Sequence, residues 1–284
     1  MRPLKKPAYD PNTVFSLCVS GVKDLAENAK LTAIAPLICQ AGIIYDKLAS
    51  SKELHLLASE QTVGGDVTVA EMKDLYAASM SAKKGSARNI YDEIINSVQN
   101  KVCPLCGIGS VRSLDHHMPQ SKFPEYVVNP VNLVPCCFDC NKAKFTKFPK
   151  TANQQTIHPY FDNYTQDVWL RAEVIQKTPP ALRFYADGPQ HWSLVDRERV
   201  KRHFDVFRLA ELFTSNAGNE LGSIRWHLVK TLHGDETAIR GHLQEIATSC
   251  RAEYLNSWRT ATYEALSANE WFIKAGFQSI SEPQ

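Results

Sequence analysis

Cys103-Pro104-Leu105-Cys106 and Cys137-Phe138-Asp139-Cys140 are two C-x-x-C knuckles separated by 30 residues. Each knuckle can present two thiolates to one Zn²⁺ at roughly 2.3 Å, and two knuckles complete a closed tetrahedral site with no position left open for catalysis. The spacing therefore predicts a structural zinc held by Cys103, Cys106, Cys137 and Cys140. A competing spacing, Cys136-x-x-x-Cys140, exists; Cys137 is favoured because it repeats the first knuckle, and Cys136 then behaves as a small buried hydrophobe. Of the eight cysteines, Cys18, Cys39 and Cys250 stand alone while the other five fall between 103 and 140. In a reducing compartment that clustering suggests metal more than disulfide, the plain alternative being five free buried thiols.

Between the knuckles lies Leu114-Asp115-His116-His117-Met118-Pro119-Gln120-Ser121. Hydrolysis of a phosphodiester needs a base to activate water and a cation to neutralise charge on the phosphate and the leaving oxygen. A carboxylate is a hard ligand suited to Mg²⁺, and an imidazole takes a proton near neutral pH. Asp115 and His116 supply both types. Downstream stand Asn132-Leu133-Val134-Pro135 and Cys140-Asn141-Lys142-Ala143-Lys144.

Taken together, Asp115-His116-x-x-Pro119, Asn132-Leu133 and the second knuckle running into Asn141 and Lys144 resemble the HNH endonuclease motif with flanking zinc knuckles. The resemblance covers Cys103 to Lys147 and implies a ββα-metal fold, a two-stranded hairpin closed by a helix beginning near Asn141. It implies His116 as general base, Asp115 and Asn141 as ligands of a catalytic Mg²⁺ or Mn²⁺, and Asn132 as the asparagine that ties the loop and orients the base. His117 departs from the family, in which an apolar residue is commoner there, and leaves the base open between two imidazoles. His116 is preferred, because neighbours on an extended segment face opposite ways.

Segment 101–150 carries seven Lys+Arg against three Asp+Glu, a net +4, while the remaining 234 residues carry −2 and the whole chain +2. Lys142, Lys144, Lys147 and Lys150 form a run without acids, interleaved with Phe145 and Phe148. Such a run is either a solvated helix face or a contact to nucleic-acid phosphates; beside a nuclease motif the second is expected, with affinity but no sequence choice. The near-neutral total excludes a chromatin-coating polycation.

Working outward, apolar residues recur at helical spacing from 12 to about 100, with a turn at 61–68, a capping box Thr68/Glu71 and an exposed linker at 81–88. Residues 168–175 and 182–186 read as a hairpin on the central module, and 195–268 as helices. The expected architecture is mainly α, with a small zinc-stapled ββα module and a short β-hairpin. Its divisions are an N-terminal helical region (1–100), the nuclease module (101–165), and a hairpin with a C-terminal helical region (166–284). His158-Pro159-Tyr160-Phe161-Asp162 is assigned to packing or support. No stretch reaches the ~20 apolar residues of a membrane span, and the basic opening leads into Tyr9-Asp10-Pro11-Asn12, so a cytoplasmic protein without a membrane partner is expected.

The resemblance implies a metal-dependent DNA endonuclease. The Arg2-Pro3-Leu4 opening, 131–135 and 158–162 are also similar to bacterial HNH proteins paired with ATPases in phage-defence systems of the Septu type, which implies an ATPase partner. No G-x-x-x-x-G-K-[ST] motif occurs in this chain. The rival readings are a stand-alone restriction-type endonuclease and a non-catalytic zinc module that binds DNA or protein.

Overall fold

A computed structural model describes residues 1–280. The chain divides into two compact units, Met1–Asn163 and Tyr164–Gln284. The first opens with α1 (Pro11–Ser20), α2 (Leu25–Ala33) and α3 (Ala35–Ser50). Asp10 caps α1 by accepting from the Thr13 amide at 2.8 Å, and Pro11 fills the first helical position, where no amide partner is needed. Pro36 does the same service in the first turn of α3.

The turn expected at 61–68 contains a two-residue antiparallel pair, β1 (Thr62–Val63) with β2 (Val67–Thr68), reversed through Gly64 and Gly65. Both glycines have positive φ, which side-chain-bearing residues adopt only at a cost. Thr68 then starts α4 (Val69–Tyr76) with the expected capping box. Its amide donates to Glu71 Oε2 at 2.7 Å and the Glu71 amide donates back to Thr68 Oγ1 at 3.3 Å.

The segment 81–88 is exposed as expected over 81–84, but its second half is pinned to the preceding helix. The helix runs on from α4 as a π-turn over 77–81, and the Ala87 amide bonds to the Ser79 carbonyl at 2.9 Å. Gly85 crosses so close to that turn that a Cβ would sit 2.1 Å from the Ser79 oxygen. Ala87, fully buried, then leads into α5 (Arg88–Asn96).

Next, β3 (Ser113–His116) pairs antiparallel with β4 (Leu133–Cys136), in a register that sets Asp115 opposite Val134 and His116 opposite Leu133. Helix α6 (Phe138–Lys144) follows β4 directly. The boundary expected at residue 100 does not exist in three dimensions. Leu114, Val127, Val128 and Leu133 share one core with Val14, Phe15, Leu31, Met72, Ile90 and Ile94 from the helices before them. A second cluster joins Ala41, Tyr45 and Leu54 to Met118, Phe123, Tyr126 and Val131. So short a two-stranded sheet cannot bury enough apolar surface by itself, and the amphipathic helices supply the other half of its core.

The second unit begins where the chain was expected to form a hairpin: β5 (Leu170–Ile175) pairs antiparallel with β6 (Ala181–Ala186). The hairpin packs on C-terminal helices, touching α8 (Leu209–Trp226) and α10 (Trp258–Ser267). Helices α7 (Leu194–Val206), α9 (Glu236–Glu253) and α11 (Glu270–Lys274) complete this unit. Asn256 fastens it, accepting from the Trp169 and Leu170 amides at 2.8 and 3.1 Å and donating to the Asp167 carbonyl at 2.9 Å. Among the described residues no single helix is long and apolar enough to cross a membrane; α2 and α3 reach that length only as a pair bent by 44°.

The Glu71 carboxyl is held down to about 2, first by the Lys30 ammonium at 2.5 Å and then by Thr68. A depressed acid stabilises the fold fully above its ordinary value of 4.5 and loses that contribution as pH falls toward its folded value. Glu71→Ala is expected to cost about 1 kcal/mol at neutral pH. Urea unfolding of parent and variant should converge as pH drops from 4.5 toward 2.

Candidate functional site

The turn between β4 and α6 presents Cys137 and Cys140 to the loop that carries Cys103 and Cys106. All four thiols are buried, and their sulfurs lie within 4.8 Å of one another. Cys106 Sγ and Cys137 Sγ, from opposite knuckles, are 3.9 Å apart, against about 3.8 Å for two thiolates on one tetrahedral ion. Amides already point at the sulfurs, from Gly109 to Cys106 at 3.3 Å and from Cys140 to Cys137 at 3.5 Å. Hydrogen bonds from Cys103, Cys137 and Cys140 push the Cys106 thiol well below its ordinary range. Gly109 is required by packing, since a Cβ there would meet Cys137 at 2.7 Å. The cluster can hold a metal ion.

Cys136 lies outside this group. Its sulfur is 3.7 Å from Ser113 Oγ, and burial followed by the Asp115 charge pushes its thiol far up, so it stays protonated. Strand alternation explains the split between neighbours: Cys136 still belongs to β4, while Cys137 is the N-cap of α6 and accepts from Cys140.

On the face of β3 that meets α6, Asn141 Nδ2 donates to Ser113 Oγ at 3.1 Å. One turn further along the helix, Lys144 Nζ lies 2.9 Å from Asp115 Oδ2 and donates to the His116 carbonyl at 2.6 Å. Asp115 and Asn141 thus face the same strand–helix seam, with Ser113 and Lys144 as their nearest side-chain partners. Asp115 is 7% exposed and Lys144 3%. Burial raises the Asp115 carboxyl while Lys144 opposes that rise. The sequence reading grouped Lys144 with surface lysines; the structure buries it against the carboxylate. Its offsets of three from Asn141 and four from Cys140, both inward-facing, carry the signal for that placement. Lys142, Lys147 and Lys150 are exposed as expected.

The two imidazoles part. His116 is buried with Nε2 2.8 Å from the Val127 carbonyl, so that nitrogen carries the proton and Nδ1 holds the lone pair. Its ring meets Tyr76 edge-on at 4.7 Å. Burial holds its pKa down to about 4, so the ring is neutral at pH 7. His117 instead lies against His158, ring centres 4.1 Å apart.

Asn132 is fully buried and makes four hydrogen bonds. Its Oδ1 accepts from the Met118 amide at 2.7 Å and the Tyr45 hydroxyl at 3.0 Å; its Nδ2 donates to the Met118 and Tyr126 carbonyls, both at 3.0 Å. Tyr45 also meets His158 Nε2 at 3.2 Å, and the His158 amide donates to Asp162 at 2.7 Å. Sequence reasoning missed Tyr45, which reaches the loop from α3 across 87 positions. Nothing in the local pattern of α3 separates it from an ordinary core aromatic.

The chain is similar to protein ea31 of Escherichia phage lambda, with 29% identity over 295 aligned positions that cover 96% of this chain and 99% of that protein. No protein-family profile matches the chain, and no solved structure matches it.

Four substitutions test this geometry. Cys137→Ser is expected to lower the metal bound per chain in elemental analysis, while Cys136→Ser leaves it at the parental level. Lys144→Met strands a buried carboxylate and is expected to cost about 3–5 kcal/mol in chemical unfolding. Adding Asp115→Asn to it should recover most of that loss.

Proposed function

We propose that the chain is a metal-dependent DNA endonuclease of the HNH kind, stapled by a structural zinc. The observation that carries the reading is the seam between β3 and α6. A carboxylate, a carboxamide and a buried cation meet there, with a neutral imidazole on the next residue of the same strand. Two antiparallel strands and a following helix are also the arrangement that the HNH resemblance implies.

Zinc suits the four-thiolate set, and with no open position its part would be to pin the β4–α6 turn. For the catalytic ion the donor chemistry also fits. Asp115 offers a hard anionic oxygen and Asn141 a neutral one, and the 2.9 Å contact with Lys144 marks a place where positive charge is needed. A bound Mg²⁺ or Mn²⁺ would supply charge stabilisation to the phosphate and the departing 3′ oxygen.

The chain's own groups do the rest. His116 takes a proton from water through Nδ1 as the water attacks phosphorus, because the Val127 carbonyl engages its other nitrogen. Lys144 holds the β3 backbone at the His116 carbonyl and balances Asp115. Asn132 fixes the loop after the base at Met118, so the imidazole need not be reoriented at the moment of reaction. Exposed Lys142, Lys147 and Lys150 would meet the DNA backbone, and binding should weaken steeply with salt. An ATPase partner within a defence system extends this reading; a pull-down from the native host tests it.

His116→Ala is expected to lower plasmid nicking by at least the ~100-fold typical of a lost general base, with circular dichroism and bound zinc unchanged. Cleavage at the parental rate would refute the assignment. Cleavage by neither protein under any divalent ion, with DNA still bound, would favour the non-catalytic zinc module.

A further inference from the structure

Ten of the twelve phenylalanines are buried or half-buried; the two exposed ones, Phe138 and Phe145, are 67% and 73% open to solvent. Phe138 is the first residue of α6 and Phe145 follows its last, with Lys142 between them in sequence. Phe138, Lys142 and the C-cap residue Phe145 are open to solvent, while Cys140 and Lys144 of the same helix are buried. Both rings thus lie in solvent at the two ends of the helix that builds the candidate site. Exposed Lys147 and Lys150 follow immediately, and Asp139 is the single acid in 137–150.

The backbone at Phe145 supplies a second, independent observation. Its φ of 49° and ψ of −124° are those of the first corner of a type II′ turn, a position dominated by glycine. An aromatic residue there is strained, and with most of its ring in water it recovers little by burial. Strain held in an exposed side chain at the rim of a site points to a role outside folding. Lysines between exposed rings match one ligand chemistry well: an anionic backbone that carries flat, unstacked bases.

We propose that Phe138 and Phe145 are base-stacking platforms, and that the substrate is DNA with unpaired bases beside the scissile phosphate. This rests on the endonuclease reading and names its substrate class. Lys142 sits to hold the phosphate between two stacked bases, and duplex DNA, whose bases are already stacked, gains only the lysine contacts.

The test is fluorescence anisotropy with labelled oligothymidylate and with a mixed-sequence duplex, without added divalent ion, alongside thermal melting. Phe145→Gly should keep or raise the melting temperature, because glycine fits the turn, yet lose roughly 5- to 150-fold in affinity for oligothymidylate. Duplex affinity should change little. Phe145→Trp should restore single-strand binding at a lower melting temperature, a combination that a purely structural ring cannot give. Undiminished oligothymidylate binding by the glycine variant, as expected if the ring docks on a protein instead, overturns the proposal. If the parent cuts DNA while that variant binds as the parent does, stacking alone falls; if the parent binds neither oligonucleotide, the endonuclease reading falls with it.

Discussion

A fully buried carboxamide with all four of its hydrogen-bonding positions satisfied is the constraint around which the first unit is organised. Asn132 closes the loop between β3 and β4 by bonding both backbone groups of Met118. It also takes the Tyr126 carbonyl on one side and the Tyr45 hydroxyl on the other. An apolar side chain there would orphan those backbone groups in a dry interior, which costs more than the hydrogen bonds themselves contribute. The register of a two-stranded sheet is otherwise weakly specified, and slipping it by one residue would exchange the faces of Asp115 and His116. One amide thus decides which side of the strand each chemical group occupies.

The seam between β3 and α6 depends on that register. Alternation along the strand sends Ser113 and Asp115 toward the helix, and a helical step of three brings Asn141 and Lys144 to meet them. Burial makes the Asp115–Lys144 contact consequential, because neither charge is tolerated there without the other. At the far end of the same helix, Cys137 caps α6 while sharing the thiol cluster, so strand, helix and knuckle are fixed by residues that each serve two neighbours.

Much of this was legible beforehand because it rests on short-range spacing. The knuckles, the capping box at Thr68 and the hairpin at 170–186 all follow from offsets of a few residues, whereas the loop-tying amide was implied by the family resemblance alone. Cys137 over Cys136 followed from repetition of the first knuckle, and the structure groups the sulfurs that way. What escaped the sequence depends on distant partners. Tyr45 looks like any apolar position on its helix until the fold brings the loop beneath it. Lys144 looks like one more surface cation until Asp115 is found inside. The boundary drawn near residue 100 failed for the same reason. A change in local texture marks where secondary structure changes type, and the core ignored it by packing Leu114 and Leu133 among Phe15, Met72 and Ile90.

That shared core has a consequence for heredity. Random mutagenesis scored by loss of activity should return changes scattered through α1, α4 and α5 as readily as changes beside the acid and imidazole, since a void opened under the hairpin shifts both strands together. Genetic maps of such a protein would show no silent amino-terminal third, and suppressors would arise as volume-restoring pairs drawn from opposite ends of the first 163 positions.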